Sequence, residues 1–161
     1  LVGQKPPEET IDLAELSRLV VSDLQEVLSD TGGHVHIGDL PKVSGYRSQL
    51  QLFFRNILTN ALKYRRQGVP PRVTIECVKS QNDVLSIVFT DNGCGIPESQ
   101  FEKIFGVFTR LHRQDEVRGS CVGLAICMRV ALNHEVTVTL TSQGERGSRF
   151  LLNIPEGRCL S

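Results

Sequence analysis

The feature that most restricts the fold of this chain is a run of apolar and β-branched residues that ends abruptly. Residues 84–90 read Val-Leu-Ser-Ile-Val-Phe-Thr, and Asp91-Asn92-Gly93 follow directly. A strand that is covered on both faces has a nearly continuous apolar run of this kind. Asp-Asn-Gly is typical of a tight turn. We therefore predict a central β-strand over 84–90 that stops at Asp91.

Helices and further strands are predicted on either side of this strand. Apolar residues recur at helical spacing over 13–29, about 46–65 and about 123–132. Asp12-x-x-Glu15 has the pattern of a capping box for the first of these helices. Strands are expected near 34–37, 73–77, 136–141 and 149–154, and a short helix at 98–105. The order favours a two-layer α/β sandwich, with helices packed on a mixed, largely antiparallel sheet.

Composition narrows the class of protein. The chain has 161 residues, with Lys+Arg and Asp+Glu both at 18, so bulk charge gives no support for a nucleic-acid or membrane partner. Its five Cys include no CxxC pair, which favours reduced cytosolic thiols over disulfides or a zinc site. The chain opens without Met, which indicates a fragment. Residues 109–121 are polar and aperiodic, and we expect a mobile loop there.

The first segment with candidate binding residues lies on the second predicted helix. Asn56, Asn60 and Lys63 are spaced by four and three residues, so they share one helix face. Carboxamide oxygens can ligate Mg²⁺ without neutralising it, and Lys can pair with phosphate. Taken alone, a solvated helix face that carries two Asn by chance is an equally good interpretation.

A second segment follows the central strand, at residues 91–97. The carboxylate of Asp91 can accept the exocyclic amino proton of adenine. Gly93 and Gly95 permit a tight reversal and a close backbone approach. By itself the segment is also consistent with an ordinary β-turn.

Two further segments lie between 101 and 125. Phe101, Ile104, Phe105 and Phe108 are expected to pack the base of the mobile loop, and Arg110 either reaches a phosphate or is a surface cation. Residues 119–125 (Gly-Ser-Cys-Val-Gly-Leu-Ala) form a glycine-flanked loop that runs into a helix. Exposed amides at a helix N-terminus bind phosphate, although an ordinary loop before a helix has the same pattern.

Together, in this order and spacing, the four segments resemble the ATP site of the sensor histidine kinases, which share a superfamily with gyrase and heat-shock-chaperone ATPases. Residues 56–64 are similar to the asparagine box of that family, and 91–95 to its first glycine box. Residues 105–108 are similar to its phenylalanine box and 119–123 to its second glycine box. The resemblance runs over 11–155. Residues 60–65 and 108–112 resemble the phytochrome-type subset most.

The resemblance implies a role for each matching residue. Asn60 would ligate Mg²⁺ beside Asn56, Lys63 would contact a phosphate, and Asp91 would hydrogen-bond adenine. Residues 109–122 would form a lid over ATP. The implied catalytic residues are Asn56, Asn60 and Lys63. The implied nucleotide-binding residues are Asn60, Lys63, Tyr64, Asp91, Gly93, Gly95, Ile96, Phe108, Arg110, Gly119, Cys121, Gly123 and Leu124.

The implied reaction is transfer of the ATP γ-phosphoryl to a histidine on a separate domain, with a response regulator downstream. The family's ATP-hydrolysing relatives usually carry a Glu base at the position of Asn56, and an amide cannot act as that base. Residues 1–10 would be a linker from an absent dimerisation and phosphoacceptor domain, 11–156 the ATP-binding domain, and 157–161 a tail. The isolated domain is expected to be a monomer and the full-length protein a homodimer.

Three departures from the family pattern keep two alternatives open. Cys121 stands where the second glycine box of the family usually has its middle Gly. Glu135 and Val136 replace a pair of Gly residues that the family often carries after the His at position 134. No His followed by an acidic and then a basic residue occurs, so His34, His36, His112 and His134 are expected to be surface or hydrogen-bonded side chains. The alternatives are a degenerate nucleotide-binding or scaffolding module without kinase activity, and an ATPase of the gyrase or chaperone type, against which Asn56 argues.

Overall fold

Five strands form the larger sheet of the structure, a computed structural model that describes residues 8–80, 82–94, 120–142 and 147–160. Their order is β2 (His34–Ile37), β4 (Arg72–Lys79), β5 (Val84–Asp91), β7 (Ser148–Pro155) and β6 (Thr137–Ser142). β2 is parallel to β4, and all other neighbours are antiparallel. The central position of β5 confirms the strand predicted from the apolar run, and the sheet is mixed and largely antiparallel as expected.

Helices α1 (Leu13–Asp23), α3 (Arg47–Lys63) and α4 (Ser120–Asn133) pack against the sheet through one hydrophobic core. Phe53 and Phe54 of α3 meet Phe89 of β5, with ring centroids 6.2 and 5.0 Å apart. α4 lies antiparallel to α3, since the Cys127 thiol contacts the Phe53 carbonyl and Asn133 bonds Gln49. This two-layer arrangement confirms the predicted fold class.

The first predicted helix is two helices in the structure. Asp12 caps α1, because its Oδ1 accepts the Ala14 and Glu15 amides at 3.0 and 3.2 Å. The helix does not continue to 29, as Leu24 leaves helical geometry at φ −103° and ψ 9°. α2 (Gln25–Thr31) follows and ends at Gly32, whose φ of 68° is left-handed. The apolar spacing continues across the break, so the sequence pattern does not reveal it.

A second, three-stranded sheet was not predicted. It has the order β1 (Glu9–Asp12), β3 (Lys42–Gly45) and β8 (Cys159–Leu160). Glu9 and Thr10 therefore lie in a strand rather than a flexible linker, and Cys159 and Leu160 in a strand rather than a tail. Each of these strands pairs with a segment that is distant in the sequence, so the local pattern does not indicate the sheet. A short 3-10 helix (Glu156–Arg158) precedes β8, and Arg158 pairs with Glu8.

The second glycine box lies differently from its prediction. α4 begins at Ser120, so Ser120 and Cys121 belong to the helix and not to a loop that ends at 121. The predicted short helix at 98–105 and the loop over 109–119 lie outside the described residues. The boundaries of helices are the least reliable part of a prediction from sequence patterns.

The turn that follows α4 contains a residue type that is unusual for its backbone conformation. Glu135 has a φ of 56°, the left-handed conformation that favours glycine. Its amide bonds the Leu132 carbonyl and the Val136 amide bonds the Ala131 carbonyl, at 3.1 and 3.0 Å. These two bonds form a Schellman motif. Glu135 thus occupies a glycine position, in agreement with the departure noted in the sequence.

None of the helices in the described part of the chain is long and apolar enough to cross a membrane. Cys77, Cys94 and Cys127 are free thiols. Burial raises the pKa of Cys127 to about 12, so this thiol is a packing group.

Candidate functional site

The C-terminal end of α3 meets the residues that follow β5. The Cys94 amide donates to the Tyr64 carbonyl at 3.0 Å, and Nε of Arg66 donates to the Gly93 carbonyl at 3.1 Å. The contact brings the C-terminal end of α3, which carries the predicted asparagine face, next to the Asp91 turn. Cys121, Gly123 and Leu124 lie in the first two turns of α4. The other predicted binding residues, Gly95, Ile96, Phe108, Arg110 and Gly119, lie outside the described residues.

Asp91 is a half-buried carboxylate that is fixed by the backbone. Its Oδ1 accepts the Gly93 amide at 2.9 Å and the Ser148 amide at 3.4 Å. Burial raises the pKa of Asp91, and the two amide bonds partly oppose that rise. Both bonds use Oδ1, so Oδ2 has no hydrogen bond from any described residue. Asp91 therefore offers one oriented acceptor oxygen.

Two glycines allow the backbone to come this close to Asp91. A Cβ on Gly93 would lie 2.6 Å from the Tyr64 carbonyl oxygen, and one on Gly147 only 1.9 Å from the Asp91 carbonyl oxygen. Gly147 also has a φ of 107°. Neither Gly147 nor Ser148 was among the site residues predicted from the sequence. Nothing local in the sequence connects either residue to Asp91, because strand pairing brings them together.

Asn92 anchors the same turn to the start of β4. Its Oδ1 accepts the Arg72 amide at 2.8 Å, and its Nδ2 donates to the Pro70 carbonyl at 3.1 Å. Its own amide donates to the Arg72 carbonyl at 3.2 Å. Hydrogen bonds therefore hold the turn of Asp91, Asn92 and Gly93, which we call the Asp91 corner. Asn92 has a structural role in it, and Oδ2 of Asp91 keeps no hydrogen bond from any described residue.

The asparagine face of α3 contains an unsatisfied polar group. Among the residues that the structure describes, Nδ2 of Asn60 is the one buried side-chain nitrogen or oxygen without a hydrogen-bond partner. Asn56 instead bonds within its helix, from Nδ2 to the Leu52 carbonyl at 2.9 Å. Buried polar groups are nearly always hydrogen-bonded, so an orphaned amide needs an explanation. Oxygen and nitrogen of a carboxamide exchange by a flip, so the buried atom of Asn60 without a partner can be either the donor or the acceptor end of the side chain.

A cation lies next to this face. Lys63 is exposed at the last turn of α3, and its Nζ is 5.7 Å from the centroid of the Tyr64 ring. The Tyr64 side chain is 41% exposed. An ammonium on an exposed aromatic ring is accessible to an anion, and it stands one helical turn beyond Asn60.

At the other end of α3 and α4 lies His134, a buried and fully bonded side chain that is 2% exposed. Its Nε2 accepts the Tyr46 amide at 2.9 Å, so Nδ1 carries the proton and donates to the Val130 carbonyl at 2.8 Å. Burial lowers the pKa of His134. A Cβ on Gly45 would lie 2.8 Å from the imidazole ring, so the ring needs a glycine there.

The remaining described histidines, His34 and His36, are exposed on β2. With His134 bonded at both ring nitrogens, the three described histidines agree with the expectation that they are surface or satisfied side chains. His112 lies outside the described residues.

A family model and similar proteins of known name indicate the same family for this chain. Residues 45–158 match the family model described as histidine kinase-, DNA gyrase B- and HSP90-like ATPase. The phytochrome-like protein Cph1 of Synechocystis is 32% identical over 91% of this chain, which spans 19% of that protein. The adaptive-response sensory kinase SasA of Thermosynechococcus vestitus is 30% identical over 90% of this chain, which spans 38% of the kinase.

Solved structures of histidine kinases have the same fold as this chain. The mycobacterial sensor histidine kinase MprB superposes with a TM-score of 0.72 at 25% identity, covering 92% of this chain and 97% of that one. Full-length ShkA in complex with AMPPNP has the same fold, with a TM-score of 0.75 at 19% identity, covering 96% of this chain and 32% of that one. The matched residues include both the asparagine face and the Asp91 corner, and the chain therefore belongs to the histidine kinase-, DNA gyrase B- and HSP90-like ATPase family.

Proposed function

We propose that this chain binds ATP with Mg²⁺ and transfers the γ-phosphoryl group to a histidine on a separate domain, as part of a sensor histidine kinase. The observation that carries the proposal is that two side chains with unused hydrogen-bonding capacity lie on elements that are hydrogen-bonded to each other at the end of α3. The backbone-anchored carboxylate of Asp91 keeps one open oxygen, and Asn60 on the adjoining helix end keeps a free buried amide. Relatives named as sensory kinases support the same function.

The adenine end of the nucleotide would bind at Asp91. An ionised carboxylate only accepts hydrogen bonds, so Oδ2 suits the amino group of adenine and repels the carbonyl that guanine carries at the same position. Because the Gly93 and Ser148 amides fix Oδ1, the second oxygen is already oriented before the nucleotide arrives.

The phosphate end would lie along α3. Asn60 fits a Mg²⁺ ligand, because its amide is unpaired and carboxamide oxygens are hard ligands. The described residues contain no cluster of three or more His, Cys, Asp or Glu that could hold a metal alone. Mg²⁺ in nucleotide sites needs only one or two protein ligands, since phosphates and water supply the rest. When bound, it would neutralise charge between phosphates, and Lys63 would pair with a phosphate oxygen.

Transfer to another domain is favoured over hydrolysis. Asn56 is an amide whose Nδ2 is bonded to the Leu52 carbonyl, and an amide cannot remove a proton from water. The described histidines also favour an acceptor on another domain, because His134 is buried with both ring nitrogens bonded and His34 and His36 are exposed side chains of the edge strand β2. The chain's contribution is positioning and charge stabilisation, which suffice for phosphoryl transfer.

The same proposal covers the parts that lie beyond this domain. The acceptor histidine would reside on a dimerisation domain that residues 1–8 join to the ATP-binding domain. A full-length homodimer would pass the phosphoryl group on to a response regulator, and the isolated domain would be monomeric.

Calorimetry and a transfer assay test the proposal. ATP should bind more tightly with Mg²⁺ than without it, and GTP should bind poorly. Labelled ATP should transfer its γ-phosphoryl to an acceptor domain that is added in trans, with little release of phosphate when the acceptor is left out. Absence of ATP binding would contradict the proposal, and steady hydrolysis without an acceptor would favour the gyrase or chaperone type of ATPase.

A further inference from the structure

Three hydrogen bonds join the end of α3 to the residues after Asp91. Two of them start from Cys94, whose amide donates to Tyr64 and whose thiol contacts the Arg65 carbonyl at 3.8 Å. The third is the bond from Nε of Arg66 to the Gly93 carbonyl at 3.1 Å. Arg66 was not among the residues that sequence reasoning identified. Among the described groups that make these three bonds, its guanidinium is the charged one.

The bond from Arg66 acts on the residue that holds Asp91. Gly93 donates its amide to Oδ1 of Asp91 at 2.9 Å while its carbonyl accepts from Arg66. Glycine has the greatest backbone freedom of any residue, so its orientation depends on such external bonds. A side chain is excluded at this position, because a Cβ would lie 2.6 Å from the Tyr64 carbonyl oxygen. Contacts to the backbone of Gly93 are therefore the available means of fixing it.

The charge environment leaves Arg66 committed to this carbonyl. The chain contains no Asp or Glu between residues 40 and 75, and no described carboxylate lies within salt-bridge distance of Arg66. The neighbouring Arg65 differs, since its guanidinium bonds the Leu62 carbonyl within α3 at 2.7 Å and does not touch the corner.

We propose that Arg66 is a positioning residue for base recognition, which holds the Gly93 backbone so that the carboxylate of Asp91 faces the adenine amino group. The inference rests on the proposed function, since it assumes that adenine binds at Asp91. It assigns Arg66 to the adenine end of the nucleotide and not to the phosphates, although the residue is a cation.

The test compares three variants with the native chain. Arg66→Met keeps the length of the side chain and removes the donor, Arg66→Lys keeps a donor that can reach the same carbonyl, and Arg65→Met is the matched control. Loss of one hydrogen bond predicts that Arg66→Met weakens the binding of ATP and of adenosine equally, by about 3- to 10-fold. Arg66→Lys should recover most of this loss, and Arg65→Met should bind both ligands as the native chain does.

Two readouts without ligand separate positioning from general stability. Amide hydrogen exchange at Gly93 should accelerate in Arg66→Met, while the melting temperature stays close to that of Arg65→Met. The Asp91 carboxyl, followed by carbon NMR, should titrate at higher pH in Arg66→Met, because the Gly93 amide bond lowers its pKa.

Each outcome decides the matter. A loss of ATP affinity without a loss of adenosine affinity would place Arg66 at the phosphates and overturn the inference. So would native adenosine binding in Arg66→Met, or unchanged Gly93 exchange and Asp91 titration. If the native chain binds neither ATP nor adenosine, the proposed function fails, and the exchange and titration experiments still decide whether Arg66 positions the corner.

Discussion

The two ends of the α3–α4 pair differ in how their buried polar groups are satisfied. At the distal end, formed by Gly45, Tyr46 and His134, the imidazole has a partner at each nitrogen. At the opposite end, formed by Asn60, Lys63, Asp91 and Gly93, we propose that the nucleotide binds, and we call this the nucleotide end. There Nδ2 of Asn60 has no partner, and Oδ2 of Asp91 has no hydrogen bond from any described residue. The polar groups at the distal end are thus satisfied within the fold, whereas those at the other end keep hydrogen-bonding capacity that the proposed ligand would use.

This difference has an energetic meaning. A buried polar group without a partner costs about 1–3 kcal/mol, so a fold that needs only stability has no reason to keep one. The cost is recovered only if a ligand completes the bonds. Substitutions at the nucleotide end should therefore affect binding more than folding, and those at the distal end should do the reverse.

The largest expected effect is that of Asn60→Ala. It should lower phosphoryl transfer roughly 100-fold or more, since a lost metal ligand removes several kcal/mol of charge stabilisation. The free energy of unfolding should not fall, because the variant removes an unsatisfied amide and Ala favours helix.

The matched control is Asn133→Ala, which breaks the bond to Gln49 at the distal end. It should lose about 1 kcal/mol of stability and leave transfer unchanged. Transfer assays and denaturant melts on both variants would show whether Asn60→Ala loses only transfer and Asn133→Ala loses only stability. Equal losses of stability in the two variants would break the comparison between the ends.

The next effect is that of Asp91→Asn on base recognition. Loss of a charged hydrogen bond should weaken ATP binding by about 10- to 100-fold, equivalent to roughly 1.5–3 kcal/mol. GTP should gain relative to ATP, because an amide can donate to the guanine carbonyl. Asp12→Asn is the control: Asn caps helices as well as Asp, so calorimetry should show native affinity. Equal affinity of the native chain for ATP and GTP would remove the role of Asp91.

At the distal end, stability should depend on pH through His134. Burial lowers the pKa of this imidazole from its ordinary 6.5, so the unfolded state binds the proton more readily. The contribution is complete above pH 6.5 and is lost as the pH falls below it. Protonation would put a second N–H against the Tyr46 amide, and Glu8 and Arg158 are the charged groups that act on the ring.

Denaturant melts between pH 8 and about 5 measure this dependence. His134→Gln should lower stability at neutral pH but flatten the dependence, whereas His36→Gln, on the exposed strand β2, should leave it unchanged. A native slope that persists in His134→Gln would assign the pH dependence to another group.

A smaller effect of opposite sign is expected at Glu135. Its left-handed φ of 56° is strained for a residue with a Cβ, so Glu135→Gly should stabilise the fold by about 1 kcal/mol. Asp83 also has a positive φ, 59°, in the β4–β5 turn, but Asp tolerates this conformation better, so Asp83→Gly should gain less. Thermal melts of the two variants compare them directly, and a greater gain at Asp83 would contradict the reasoning.

The smallest effect is expected for Cys121→Gly. The sequence places this residue before the helix, where a missing glycine would impair phosphate binding. In the structure Cys121 is in the first turn of α4, where the backbone needs no positive φ. ATP affinity should therefore change by less than about twofold. Clearly tighter ATP binding with unchanged adenosine binding would show instead that the cysteine obstructs the phosphates.

The elements that sequence reasoning predicted are mostly those long enough to show a periodic spacing of apolar residues. α3, β4, β5 and β7 have enough residues to show their apolar pattern, and they were predicted within a few residues. The three-stranded sheet was not, because strands such as Lys42–Gly45 owe their form to distant partners. At the site, Asn60 and Asp91 belong to recognisable motifs. The Ser148 amide and the Arg66 guanidinium contact Asp91 or its neighbour only after folding, and no local spacing indicates them.

The close approach at Gly147 has a consequence for the genetics of this domain. Any side chain there would overlap the Asp91 carbonyl, so even alanine would force the corner to move. A saturation mutagenesis screen for signalling should find Gly147 as intolerant as Asp91 itself, while Gly68, with open space around it, should accept substitution more readily despite its own positive φ. Substitutions at these two positions, which are distant in the sequence, would then have the same effect on signalling.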